Sequence, residues 1–178
     1  MLTIAINKAT FALAVCTLIL LPNALAQGGA PGCGAPDVKF EVKTVKQQPA
    51  VKPDPGKALL FFIEDDSSFD SHPKPTTRLG VDGRWVGATH GSSYLFTFLD
   101  PGVHHLCASW QSLVVLGLGH KTLAAHFTAE PGEVYYFSAK ANWLLHDGFT
   151  GMTLDPLDSD EGQLLASKLK FSVSKEKK

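Results

Sequence analysis

The sequence predicts an all-β domain: a β-sandwich or partly open barrel of about seven to nine short antiparallel strands, with one short helix near the C-terminus. Three observations carry this expectation. The apolar runs are short, and several alternate with polar residues at period two rather than 3.6. Tight-turn pairs, Asp82-Gly83, Pro101-Gly102 and Pro131-Gly132, recur between them. Helical patterning is confined to one stretch after Asp158.

The elements follow in order. Val38, Phe40 and Val42 alternate with Lys39, Glu41 and Lys43, the signature of a half-buried strand. Residues 47–56 carry Pro49, Pro53 and Pro55, which remove backbone donors and favour an extended connection. Residues 58–63 are apolar throughout and too few for a helix, so they read as a central strand buried on both faces. Residues 65–77, with Pro73 and Pro75, read as a long polar loop.

Leu79-Gly80-Val81 and Arg84-Trp85-Val86 then flank Asp82-Gly83, a pair that accepts the positive φ angles of a two-residue hairpin. Residues 94–99 form a strand that turns through Asp100-Pro101-Gly102 into another over 104–110. Residues 123–128 repeat the pattern, and Glu130-Pro131-Gly132 turns them into a strand over 134–141. Asp158 and Glu161 have the spacing of a helix-capping box ahead of Leu164 and Leu165. Phe171 and Val173 are expected in a last edge strand.

At the N-terminus Lys8 precedes an apolar run over residues 9–21, ended by Pro22 and Asn23. Ala24-Leu25-Ala26 then places small residues where a signal peptidase reads them. A signal peptide over residues 1–26 is expected, cut between Ala26 and Gln27; a spanning helix needs ~20 apolar residues and the run falls short. The mature chain of 178 − 26 = 152 residues suits one core. Residues 27–37 read as a flexible Gly/Pro-rich segment, 38–173 as the single β-domain, and 174–178 as a basic tail.

Removal of residues 1–26 takes away Cys16 and leaves Cys33 and Cys107, an even pair expected to form a disulfide in an oxidising compartment. A periplasmic or secreted product follows, with no transmembrane segment after signal removal. The net charge of −1 and the scattered Lys and Arg speak against nucleic acid, which needs a concentrated basic face.

From about Gly56 to Ala141 the chain resembles a bacterial domain of unknown function, the family numbered 2846. The resemblance rests on Gly56-Lys57-Ala58-Leu59-Leu60-Phe61, Val81-Asp82-Gly83, Pro101-Gly102 followed by His104, and Glu130-Pro131-Gly132 leading to Val134-Tyr135-Tyr136. It implies an exported β-sandwich-like protein. Members are often lipoproteins, but Ala30-Pro31-Gly32 before Cys33 lacks the apolar residue a lipid-attachment site needs. The family brings no established activity and hence no catalytic residue.

Sites for chemistry are sparse in the sequence. His104 and His105 are neighbours in a strand and must face opposite ways, while His105 and His126 are expected to oppose each other on adjacent strands. Two imidazoles need a third ligand for a zinc site, and no Cys-x-x-Cys or His-Glu-x-x-His spacing supplies one, so no metal and no cofactor are expected. Asp155, Asp158, Asp160 and Glu161 lack the turn glycine of a calcium loop; capping accounts for Asp158 and Glu161. Gly91-Ser92-Ser93 is no nucleophile elbow. Trp85 and Trp143 are the aromatics to consider for sugar stacking, against ordinary packing.

Leu113-Val114-Val115-Leu116-Gly117-Leu118 is apolar where a polar connection is expected. It is either strand, buried by longer neighbours, or an exposed tip for a protein or cell-envelope contact. The expected function is an exported non-enzymatic binding or structural module. The alternative is a small extracytoplasmic hydrolase or metal-binding protein with a site built from scattered His and Asp.

Overall fold

The computed structural model describes residues 32–46, 48–67, 74–111, 122–144 and 149–178. In chain order the strands are β1 (Phe40–Val45), β2 (Ala58–Glu64), β3 (Thr76–Val81), β4 (Arg84–His90), β5 (Ser93–Leu99) and β6 (Gly102–Trp110). There follow β7 (Thr122–Ala129), β8 (Val134–Ser138), β9 (Ala141–Leu144), β10 (Phe149–Met152) and β11 (Asp155–Leu157), then helix α1 (Ser159–Lys168) and β12 (Lys170–Glu176). One sheet has the order β1-β12-β5-β2-β8-β11 and a second the order β4-β3-β6-β7, while β9 and β10 make a separate ribbon. The all-β, sandwich-like class is as expected, and neither main sheet closes into a barrel among the described residues.

Several details differ from expectation. Twelve strands are present among the described residues rather than seven to nine. The additions are short: residues 134–141 are not one strand but end at Ser138 and resume in the ribbon, and β11 has three residues. The pairing is not wholly antiparallel, because β2 runs parallel to β8 and β12 parallel to β5. The cause lies in the turns. Asp100-Pro101-Gly102 and Glu130-Pro131-Gly132 are corners that carry the chain from one sheet to the other, not hairpins. The chain leaves the first sheet after β5 and returns at β8 beside β2, running in the same direction.

β12 is not an edge strand. It lies between β1 and β5, and it continues past Val173 to Glu176, with the Lys177 N–H donating to Lys39 O. Residues 174–176 therefore belong to the sheet rather than to a tail. β3 likewise begins inside the expected loop, at Thr76.

The strand alternation builds two cores. Leu60 and Phe62 of β2, Leu95 and Leu99 of β5, Leu79 of β3, and Leu106 and Trp110 of β6 meet between the sheets. Leu59, Phe61 and Ile63 face the other way, with Tyr94 and Tyr136. This outer layer is covered in part by Leu165, Ala166 and Leu169 from the α1 region and by Val51 of the proline-rich connection. That second cover is why β2 is buried along its whole length, as its unbroken apolar run predicts. Asp158 caps α1, its Oδ1 accepting from Asp160 N at 2.8 Å and Glu161 N at 3.4 Å. At the far end Gln48 Nε2 donates to the carbonyls of Ala166, Ser167 and Leu169.

Candidate functional site

Cys33 and Cys107 form the expected disulfide, with Cα atoms 5.0 Å apart. Cys107 points to the outer face of the four-stranded sheet, and residues 32–38 lie across that face as a strap. Gly32 has φ +91, and a Cβ there would stand 2.6 Å from His105 O, so only glycine lets the strap touch the β6 backbone. Arg78 Nη1 donates to Pro36 O and Val38 O, each at 2.8 Å, and its guanidinium lies 4.6 Å from the Trp85 ring centre. Trp85 Nε1 donates to Ala35 O at 2.8 Å. Trp85 is therefore a clamp for the strap rather than an open stacking platform, and the described part of the segment over residues 27–37 is tied down.

At the β3–β4 hairpin Asp82 has φ +48 and Gly83 φ +79, as the turn pair predicts. Asp82 does more than turn the chain. Its Oδ2 meets His104 Nδ1 at 2.6 Å and its Oδ1 accepts from His105 N at 2.9 Å. His104 Nε2 meets Asp100 O, also at 2.6 Å. Both ring nitrogens face oxygen acceptors, an arrangement that suits the doubly protonated, charged ring. Burial opposes that charge, but the Asp100 carbonyl and the Asp82 carboxylate outweigh it and raise the pKa. Burial likewise pushes Asp82 up, but the His105 N–H and His104 outweigh it and lower its pKa. An imidazole whose two nitrogens are already engaged has no free site to take a proton from a nucleophile. The pair locks a hairpin to a sheet corner.

A second polar group lies where β2 ends. Glu64 is wholly buried, and its Oε1 accepts from Thr77 Oγ1 at 2.6 Å. Burial and then the charge of Asp66 push its pKa well up; the Thr77 and Thr89 hydroxyls and Lys74 act the other way without cancelling the rise. The folded state thus holds a proton on Glu64 at pH values where the unfolded chain, with an ordinary glutamate pKa of ~4.3, has lost it. The stability contributed is complete below that unfolded value and falls as pH rises toward the folded one. Glu64→Gln cannot ionise. It should flatten the decline of stability above the unfolded value by up to ~1.4 kcal/mol per pH unit, read from denaturant midpoints. Parallel profiles for the two proteins would show Glu64 to be ionised throughout.

His105 and His126 do pair across β6 and β7, ring centres 6.4 Å apart, while His104 points to the opposite face. No group of three or more His, Cys, Asp or Glu among the described residues is placed to hold a metal. Ser93 Oγ donates to backbone carbonyls of His90 and Gly91 and accepts from Ser172 Oγ at 2.8 Å. Thr76 Oγ1 and His90 Nδ1, 3.0 Å apart, are an exposed cross-strand pair. The signal segment, with Ala26 and Gln27, and the stretch Leu113-Val114-Val115-Leu116-Gly117-Leu118 lie outside the described residues, as does the side chain of Trp143.

One feature escapes the motif reading. Tyr94, Phe96 and Phe98 alternate along β5 and share the outer face of the six-stranded sheet. Phe61 stacks on Tyr136 at 5.0 Å and Phe96 on Phe171 at 5.5 Å, with Phe98 edge-on to Phe96 at 6.1 Å. α1 packs over β8 and β2. Among the described residues no element covers the β5–β12–β1 half, and Phe98 is 38%, Val173 49% and Val45 37% exposed. Opposed residues share a face, so Val45 stands beside Phe171 and Lys43 beside Val173. The period-two aromatics were the available signal; what covers each half was not.

No protein-family model, curated protein or solved structure matches the chain. The resemblance to the family numbered 2846 rests on the quoted motifs alone.

Proposed function

We propose that the protein is an exported, non-enzymatic binding or structural module whose contact surface is the open half of the six-stranded sheet. The observation that carries this reading is the apolar strip of Phe98, Val173 and Val45, exposed beside the partly buried Phe96 and Phe171 where, among the described residues, α1 shelters only the neighbouring strands. A contiguous exposed strip of this kind marks an interaction surface more often than a scattering of single apolar residues does. The Cys33–Cys107 bond supports an oxidising compartment. The engaged ring of His104 weighs against the hydrolase alternative. Relationship to the exported family numbered 2846 belongs to the same proposal.

The test uses protein recovered from the producing cell. Its N-terminus should read Gln27, and it should be retained on the cell's own envelope fraction. The double variant Phe98→Ser with Val173→Ser should lose that retention while the protein stays folded, losing no more than ~2–3 kcal/mol, since Val173 is 49% exposed and Phe98, edge-on to Phe96, 38%. An intact Met1 end in the membrane fraction would overturn the export reading. Undiminished retention of the variant would overturn the surface.

A further inference from the structure

Each main sheet has two edges, and three of the four are blocked against further pairing. β1 carries Glu41 and Lys43, and the Gln111 side chain occupies both Phe40 N and Phe40 O, at 2.5 and 2.7 Å. β11 is three residues long and contains Pro156. β4 breaks register opposite Leu79 and Gly80 and packs along β12. Charges, prolines, short strands and bulges are the usual ways of blunting an edge.

β7 has none of them. Its eight residues, Thr-Leu-Ala-Ala-His-Phe-Thr-Ala, contain no Lys, Arg, Asp, Glu, Pro or Gly. Its pairing with β6 runs unbroken from Gly102↔Ala129 to Ser109↔Thr122. Among the described residues no strand pairs with its other side. Among the described residues a row of backbone N–H and C=O groups is thus left unpaired on a regular strand free of Lys, Arg, Asp and Glu, a template for another strand.

We propose that β7 is a self-association edge, pairing antiparallel with β7 of a second copy of this chain about a two-fold axis at Ala125. A two-fold interface must be complementary to itself, and this strand is. With Ala125 opposite Ala125, the half-buried inner row sets Leu123 against Phe127, so a bulky aromatic meets a branched aliphatic and the two small residues meet on the axis. On the exposed outer row Ala124 meets His126 and Thr122 meets Thr128. Every pair matches in face, no carboxylate or ammonium is opposed to its like, and the two four-stranded sheets become one. Charge decides for a second copy over a charged peptide, because β7 offers such a peptide no complementary group. The edge is separate from the aromatic strip, so the two proposals stand or fall independently.

Light scattering of the purified protein across a concentration series should show a dimer, with β7 amides gaining hydrogen-exchange protection as concentration rises. The double variant Ala124→Lys with His126→Lys alters two outward, exposed side chains and sets lysine against lysine across the axis twice. It should weaken the dimer roughly tenfold or more. Ala124→Lys with His126→Glu opposes lysine to glutamate in the same register and should keep the dimer. The Phe98→Ser, Val173→Ser variant should dimerise like the parent. A monomer at every concentration, a dimer indifferent to the two lysines, or a charge-swapped variant that also dissociates would each overturn the proposal. β7 amides whose protection ignores concentration would do so without any variant.

Discussion

Cys33→Ser is expected to lower the unfolding free energy by ~4 kcal/mol, an upper figure from the chain entropy of a bond joining residues 74 apart. Few other single changes in this chain should match that, because a single domain is stable by only ~5–15 kcal/mol. The strap contacts will not make up the loss. Arg78 to Pro36 and Val38, and Trp85 to Ala35, are ordinary hydrogen bonds, each contributing about 1 kcal/mol net. Once the bond is gone, those few bonds alone must order residues 32–38, at ~1–2 kcal/mol of entropy per residue. The double variant with Cys107→Ser should melt at or somewhat below Cys33→Ser, since the bond is already lost and Cys107 is buried where a serine hydroxyl is less well suited than a thiol. Denaturant melts of oxidised parent and variants provide the measurement. A loss below ~1 kcal/mol would mean that the strap is held without the bond.

Gly162→Val is expected to cost ~3 kcal/mol and to lift α1 from the sheet. Gly162 is the buried residue of the helix, and a Cβ built on it would lie 2.2 Å from Cγ of Tyr136 and 2.6 Å from its Cβ and Cδ1. Those atoms are the root of a ring packed against Phe61, so the clash cannot be relieved by swinging a flexible tip aside. Gly162→Ala decides which effect wins. Helix propensity alone favours alanine over glycine by ~1 kcal/mol, whereas overpacking costs ~1–3 kcal/mol. With so short an approach the packing term should prevail and Ala should destabilise. A stabilised Ala variant would show α1 riding higher on the sheet than its contact with Tyr136 implies.

Local chemistry made much of this molecule legible from residue order. Asp82-Gly83 had to be a hairpin because those residues accept positive φ there. Residues 58–63 had to be a doubly buried strand because nothing in them tolerates water. Asp158 had to cap a helix because its carboxylate can take the first free N–H groups. The disulfide followed from the expected export, which leaves an even cysteine pair in an oxidising compartment, and the opposed His105 and His126 from period-two alternation.

Tertiary structure alone decided the rest, because the deciding contacts join residues distant in the chain. A Pro-Gly turn looks the same whether it closes a hairpin or rounds a corner between sheets, so the parallel pairing of β2 with β8 was invisible. Phe171 and Val173 gave an alternating strand but not its place between β1 and β5, which depends on where α1 returns the chain. Asp82 engages His104 only because β6 lies beside the hairpin, and the pKa of Glu64 is raised only because the fold buries it and brings Asp66 near. Phe96 and Phe98, two residues apart in β5, share one face, and β7 holds no Lys, Arg, Asp or Glu. Which half of that face α1 covers, and which strand ends a sheet, are properties of the assembled layers: local conformational preference acts over a few residues, whereas burial and edge pairing are set by whatever the rest of the chain places alongside.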